Sequence, residues 1–506
     1  MNILRYYIAA CLSAGIASAA VRGVVFDDRN GNGIRDGGEA GIAGVAVSNG
    51  ADVTLTDGDG RYELPSRSDA MAFVIKPAGW RPPLTSQNLP KFYARLSGRA
   101  DADSVNFPLV RTPESDDFRA LLFTDTQPTS LKEVGYLDRT IVDGLVGQRD
   151  FAFGVTLGDV TSDRPDLYPA VNAAVARIGI PWFNLNGNHD LNLLSGGGDR
   201  GAVAAFESAY GPSTYAFRWG QAVFVALNDV RYLGGPRYIG GLRPDQFEFL
   251  ENLLRATPRD LLVVVMLHIP LFSPDPSNAE TFRAADRARL FALLQDRPHT
   301  LVLSGHTHYQ RHVFYGAAEG WHGAEPLHEF NVAAACGSFW GGPPDARGIP
   351  ISTMADGTPH GYGVLTCRGT DVQLDYFPAG HPPDFQIGLH VPAHIAPRQG
   401  YVSFYANVFN GHDGWKVEAR VDDRQWMPLR RVLAWDPSYA TLYLAQDESL
   451  QPLATLRLPD PAICYHLWRA YLPADLPIGP HLLSARAVDP AGRVFTADEA
   501  FHITPP

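Results

Sequence analysis

The chain has 506 residues, 45% hydrophobic and 19% charged, the composition of a folded protein too long for one ordinary core. A formal net charge of −12 argues against general binding to nucleic acid or to an anionic membrane surface. It leaves room for a phosphorylated ligand, because a metal ion supplies local positive charge.

The N-terminus, MNILRYYIAACLSAGIASAAVRG, carries Arg5, an apolar run and then Ala17–Ser18–Ala19. That order is an export leader over residues 1–20 and predicts a periplasmic or secreted protein. No later segment is long and apolar enough to span a membrane. Cleavage would remove Cys11 and leave Cys336, Cys367 and Cys464. Cys336 and Cys367 are candidates to pair in an oxidising compartment, which spacing alone does not decide.

Residues 21–115 read as all-β, with short strands such as Val21–Phe26 and Tyr62–Pro65 among Gly/Asp turns. Within them DRNGNGIRDGGE, Asp28 to Glu39, matches the EF-hand loop pattern at Asp28, Asn30, Asn32, Gly33, Asp36 and Glu39. The flanks are not helical. The segment resembles carboxypeptidase-regulatory or surface-protein B-type β-sandwich repeats. Calcium on side-chain oxygens and an Asx-rich turn that holds itself together are equal readings.

Residues 116–378 alternate apolar strands with amphipathic helices, an α/β layer pattern. Strands are predicted at Ala120–Thr124, Ala152–Leu157, Trp182–Leu185, Ala222–Leu227, Leu261–Leu267 and Thr300–Leu303. Helices are predicted at Leu137–Val146, Leu167–Ile178, Ala202–Ala209, Pro244–Arg255 and Ala284–Leu294. Residues 379–506 return to period-two alternation, as in YVSFYANVF and HLLSARAVDP, and predict a second sandwich of Ig or fibronectin type.

Five segments of the α/β region fall just beyond predicted strands: TDTQ (Asp125, Gln127), GDV (Asp159), GNHD (Asn188, His189, Asp190), LHIP (His268) and GHTH (His306, His308). The crevice beyond strand C-termini is where open α/β sheets bind ligands. Carboxylates, imidazoles and amide oxygens suit Mn, Fe or Zn, and two such ions clamp an in-line displacement at phosphorus. Each motif is weak alone; the ordered set is not.

This series resembles the calcineurin-like metallophosphoesterase superfamily, specifically a bacterial exported subgroup with flanking β-domains. The resemblance implies a layered β-sandwich flanked by helices and a binuclear centre of divalent or trivalent ions. By it, Asp125, Gln127, Asp159 and His308 hold the first metal. Asp159 bridges, and Asn188, His268 and His306 complete the second. His189 is the general acid, assisting the leaving group after a metal-bound hydroxide attacks phosphorus, or the donor that stabilises the phosphoryl oxygens. Two positions depart from the family pattern. Gln127 stands where most members have histidine. Ser162 occupies the place of a second Asp, so Asp163 or Asp190 is left to orient His189, or neither.

Trp340 and Tyr362 are candidate substrate-lip residues, while Tyr215, Tyr238 and the histidines His312, His322, His328 and His360 are expected to be packing, surface or loop residues. The expected function is exported hydrolysis of phosphate mono- or diesters carrying a nucleotide, a lipid headgroup or an envelope glycan. The competing class is an envelope binding protein whose α/β domain is catalytically inactive.

Overall fold

The structure is a computed structural model that describes residues 20–67, 71–96, 104–193, 198–273, 280–397 and 401–505. The candidate leader lies outside these residues apart from Ala20. Two four-stranded sheets come first. One runs Arg61–Pro65, Ala20–Asp27, Phe107–Arg111, Trp80–Arg81, and the other Val53–Leu55, Ala46–Ser48, Met71–Val74, Tyr93–Arg95. In Arg61–Pro65, buried Tyr62 and Leu64 alternate with exposed neighbours, the two-residue period of a half-buried strand.

The central domain stacks a five-stranded sheet on a six-stranded one. The five-stranded order is Trp182–Leu185, Phe153–Leu157, Asp117–Phe123, Gly361–Arg368, Asp371–Pro378. The six-stranded order is Tyr215–Trp219, Ala222–Ala226, Leu262–Met266, Thr300–Ser304, Leu327–Asn331, Arg311–Tyr315. The first three strands to appear are parallel, as are four neighbours in the larger sheet. Along Asp117–Phe123, Ala120 and Leu122 enter the core between the sheets, while Leu121 and Phe123 meet the outer helices. Burial on both faces explains why this strand reads as a continuous apolar run.

Helix Pro244–Ala256 starts on a proline, caps its first N–H groups through Gln246 and buries Phe247, Leu250, Leu253 and Leu254 at helical spacing. The helix expected at Leu137–Val146 begins earlier, at Leu131. Ser130 caps it by accepting from the Glu133 N–H, and the chain passes through one π-helical turn at Asp138–Val142 before ending.

The last domain pairs a four-stranded sheet (Ile387–His390, Ser403–Val408, Cys464–Tyr471, Arg430–Ala434) with a five-stranded one (His394–Ile395, Val494–Ile503, Gly479–Val488, Lys416–Val421, Met427–Pro428). It has its own core, around Phe404, Trp468 and Phe501. Among the described residues no helix is long and apolar enough to cross a membrane.

Candidate metal centre

The C-terminal ends of the parallel strands in both central sheets converge at one end of the domain. Asp125, Asp159 and Asn188 follow strands of the smaller sheet; His268, His306 and His308 follow strands of the larger. Two close approaches fix the glycines of the motifs. A Cβ on Gly158, at φ +93, would lie 2.4 Å from the His268 Nδ1, and one on Gly187 would lie 2.1 Å from the Asp159 Oδ1. Asp125, Gln127, Asp159, His306 and His308 themselves have positive φ, between 36° and 74°. Such backbone costs on the order of 1–3 kcal/mol per residue and concentrates at functional sites.

His268 and His308 share one arrangement. The His268 Nδ1 meets the Leu157 carbonyl at 2.8 Å and its Nε2 lies 3.1 Å from the Asn188 Oδ1 and 3.4 Å from the Asp159 Oδ2. The His308 Nδ1 meets the Gly337 carbonyl at 2.6 Å and its Nε2 lies 3.5 Å from the Asp125 Oδ1. A backbone acceptor on Nδ1 sets the tautomer that leaves Nε2 for a metal. Asp159, His268 and His306 bring their ligand atoms within 4.8 Å of one another.

The Asp125 Oδ2 accepts from Thr124 Oγ1 and, at 2.9 Å, from the His306 N–H; its buried Oδ1 has no hydrogen-bond partner. An orphaned carboxylate oxygen is expensive unless a cation meets it. Burial raises the pKa of Asp125, but the His308 imidazole facing it outweighs that and holds the carboxyl below its usual range. Burial would lower His268, yet Asp159 beside it pushes that imidazole up to about 10. The residues therefore fit a cation: two buried carboxylates, one with an oxygen that has no hydrogen-bond partner, face imidazole nitrogens across the same space.

Asp159 also accepts from the His189 N–H at 2.8 Å and from the Gln127 Nε2 at 2.7 Å. The Gln127 Oε1 turns away, 3.5 Å from the Cys336 Sγ. In this orientation Gln127 gives the Asp159 carboxylate a donor, which differs from the expected oxygen ligand. Cys336 gave no sequence signal for this place.

The His189 ring is partly exposed and its Nδ1 meets the Asp163 Oδ2 at 3.0 Å. The Asp163 N–H donates back to the His189 carbonyl at 3.0 Å. Positive φ at Asp163, 55°, lets it reach this ring from one residue beyond the family position. Burial would lower the pKa of His189, but the Asp159 charge and the Asp163 hydrogen bond raise it. Asp190 is placed elsewhere than expected for a catalytic carboxylate. It is buried and accepts from the N–H groups of Gly187, Val160 and Thr161 and from the Tyr168 hydroxyl. Those four donors make it the support of the GNHD turn. Asp229, unnoticed in the sequence, does the same for the larger sheet by accepting from the N–H groups of His268 and Ile269 at 3.0 and 2.9 Å.

Other expectations change. Trp340 is buried and its indole donates to the Thr126 carbonyl, so the exposed aromatic is Phe339, stacked on the His308 ring at 4.1 Å. Tyr362 packs between Phe123 and Phe377. Tyr215 is core, and Tyr238 sits edge-on to His306 at 5.9 Å. His360 is buried against the Ala335 carbonyl, not a loop surface. Cys336, Cys367 and Cys464 are free thiols; Cys336 packs with the outer helices and Cys367 in the core between the sheets, so the candidate pair faces different layers.

The Asp28–Glu39 loop closes on itself. Asp28 accepts from the N–H groups of Gly31, Asn32 and Gly33; Asp36 accepts from the Asn30 and Asn32 amides; Glu39 accepts from the N–H groups of Arg29 and Asp36.

Comparison with known proteins agrees with this picture. Residues 118–310 match the family described as calcineurin-like phosphoesterase, residues 29–112 its N terminal and residues 329–495 its C terminal. These matches define the class as metal-dependent phosphoesterase. The chain belongs to the calcineurin-like phosphoesterase family, as a central catalytic domain flanked by N- and C-terminal domains. The C-terminal match begins inside the six-stranded sheet and continues through the last sandwich. Among solved structures, a purple acid phosphatase, PPD1, from yellow lupin (Lupinus luteus) seeds is similar at 12% identity, covering 71% of this chain and 67% of that one with a TM-score of 0.37. No curated protein matches the chain significantly.

Proposed function

We propose that the chain hydrolyses phosphate mono- or diesters. In this reading Asp125, Asp159 and His308 hold one transition-metal ion, Asp159, Asn188, His268 and His306 hold the other, and His189 is the general acid. The observation that carries it is the matched pair His268 and His308, each with Nδ1 on a backbone carbonyl and Nε2 facing a buried carboxylate. Bound Mn, Fe or Zn would lower the pKa of a water and neutralise charge developing on the phosphoryl oxygens.

The side chains divide the remaining work. Asp163 accepts from the His189 Nδ1–H, which leaves Nε2 free to hand a proton to the departing alkoxide. The Asp159 charge and the Asp163 hydrogen bond, which raise the pKa of His189 against burial, favour the ring that carries that proton. Asp190 and Asp229 take no proton in the reaction; they hold the turns that carry Asn188, His189 and His268. Gln127 orients the bridging carboxylate of Asp159.

The substrate class we infer is a nucleotide, a lipid headgroup or an envelope glycan met in the periplasm or outside the cell. The setting rests on the leader pattern of residues 1–20 and is tested by N-terminal sequencing of the exported protein; the substrate class is tested by a panel of such mono- and diesters.

Asp159→Asn and His306→Ala test the centre itself. Each should abolish turnover of an aryl phosphate supplied with Mn, Zn or Fe, while thermal midpoint and circular dichroism stay as in the wild type. Wild-type-like turnover in either variant would overturn the assignment.

A further inference from the structure

We propose that the C-terminal sandwich is a working part of the metal centre, with Gln310, Asp356, Asn407 and His466 as positioning residues for His308. The inference rests on reading His308 as a ligand. His306 and His308 both hold left-handed backbone, at φ 74° and 55°. Such conformations persist only where the surroundings over-determine them. Part of what fixes them comes from the other domain.

Gln310, two residues past His308, is 1% exposed. Its N–H donates to the Asp356 Oδ2 at 3.1 Å. Its side-chain Nε2 donates to the Phe409 carbonyl at 2.6 Å and the Asn410 Oδ1 at 3.3 Å, both in the sandwich. The flanking residues lean the same way, since the Arg311 guanidinium sits 3.6 Å above the Tyr465 ring. The strand leaving the metal end therefore runs against the second domain at once.

Asp356 is the hub. Beyond Gln310 it accepts from the Thr358 N–H at 2.9 Å and meets the His466 Nε2 at 3.0 Å. The Asn407 Nδ2 donates to the Asp356 carbonyl at 3.0 Å and to the Asp436 Oδ2 at 3.1 Å, so its Oδ1 faces the His466 Nδ1, 2.7 Å away, as an acceptor. Asp356, Asn407 and His466 are each 1% exposed. If the contact served adhesion alone, apolar side chains of the same volume would do as well or better. A buried polar network is directional, and it fixes the angle and register of what it holds. Here it holds the main chain beside a metal ligand.

The test uses the full-length protein, with metal removed and then titrated back as Mn or Zn against a chelator. His466→Ala and Gln310→Ala should each weaken binding by about tenfold, the low end of what losing a group that orients a ligand costs. In the metal-free protein they should also speed hydrogen exchange at the Gln310 amide. His466→Gln, which keeps a donor for Asp356, should recover part of both. The control is His481→Ala, in the same sandwich but paired with Asp422 away from the network; it should lower the thermal midpoint without moving metal affinity. Wild-type metal affinity in both His466→Ala and Gln310→Ala overturns the proposal and leaves the site assignment standing. A wild-type protein that binds no transition metal overturns both.

Discussion

The two β-sandwiches are attached to the catalytic domain in different ways. The N-terminal one shares its core. Phe73 meets Phe249 of helix Pro244–Ala256 at 5.8 Å and Phe92 meets Tyr215 at 5.1 Å, inside one cluster that continues between the central sheets. The C-terminal one keeps a separate core and joins through buried polar groups beside the metal end, with two small apolar clusters around Phe409 and Tyr439. A shared apolar core adds stability without regard to direction. A polar joint adds geometry. The first sandwich is thus expected to govern whether the domain stays folded, and the second how its ligands are held.

The largest effect should come from a buried ion pair at the N-terminal joint. The Lys76 Nζ donates to the Glu114 Oε1 at 2.6 Å and to the Arg218 carbonyl at 2.7 Å, with both side chains almost wholly buried. Lys76→Met strands Glu114 and should destabilise the protein by about 3–5 kcal/mol in denaturant unfolding. The kcat of the folded enzyme should be unchanged; a fall in kcat would erase the distinction between the two joints. Burial lowers the pKa of Lys76 to about 8, against the pull of Glu114, from an ordinary 10.5. Between those values the unfolded chain holds a proton that the folded chain has released, so raising pH favours folding. The stability difference between wild type and Lys76→Met should therefore grow from pH 8 to 10.5.

Asp163→Asn should show the opposite pattern: rate lost, stability kept. Asparagine still accepts from the His189 Nδ1–H but removes the charge that helps keep the imidazole protonated. Turnover of an alkyl phosphate should drop about 10–100-fold, and less for a nitrophenyl ester whose leaving group needs no proton. The pKa of His189 falls, so the decline of rate on the alkaline side should begin at lower pH. An unshifted profile would mean that Asp163 only packs.

This residue also marks the limit of what could be read from sequence. The motif segments were legible because their strands are apolar on both faces and the chemical residues follow at once, as Asp125 follows Leu121 to Phe123. Asp163 was off by one position from the expected spacing, and only its left-handed backbone returns it to His189. Trp340 lies in a Gly/Pro loop expected to border the site, yet the aromatic stacked on His308 is Phe339 beside it. Strands Arg311–Tyr315, at the sheet edge, and Leu327–Asn331, beside it, left no strand pattern because polar and charged residues interrupt them. Asp356, Asn407 and His466 leave no local pattern, since their partners are 59 and 110 residues apart in sequence.

A smaller effect is expected at Gln127, which touches the side of the centre nearest the C-terminal region through Cys336. Gln127→His should lower the dissociation constant of the first metal severalfold by chelator competition, more for Zn than for Mn, because imidazole suits the softer ion. Unchanged metal content and activity would leave Gln127 as a donor to Asp159 and nothing more.

The smallest effect should be that of calcium on the N-terminal sandwich. The Asp28–Glu39 loop has the oxygen spacing of an EF-hand loop, but its three carboxylates already accept from N–H groups and amides of the same loop. A cation would have to displace the Asn30 and Asn32 amides from Asp36, so much of its gain is offset by hydrogen bonds lost. Calcium at millimolar concentration should raise the thermal midpoint by less than about 1 °C, no more than about 1 kcal/mol for a chain of this size. A larger rise that disappears in Asp36→Asn would show that the ion competes successfully. The first sandwich would then carry a metal-dependent stability of its own, while the second acts on metals it does not ligate.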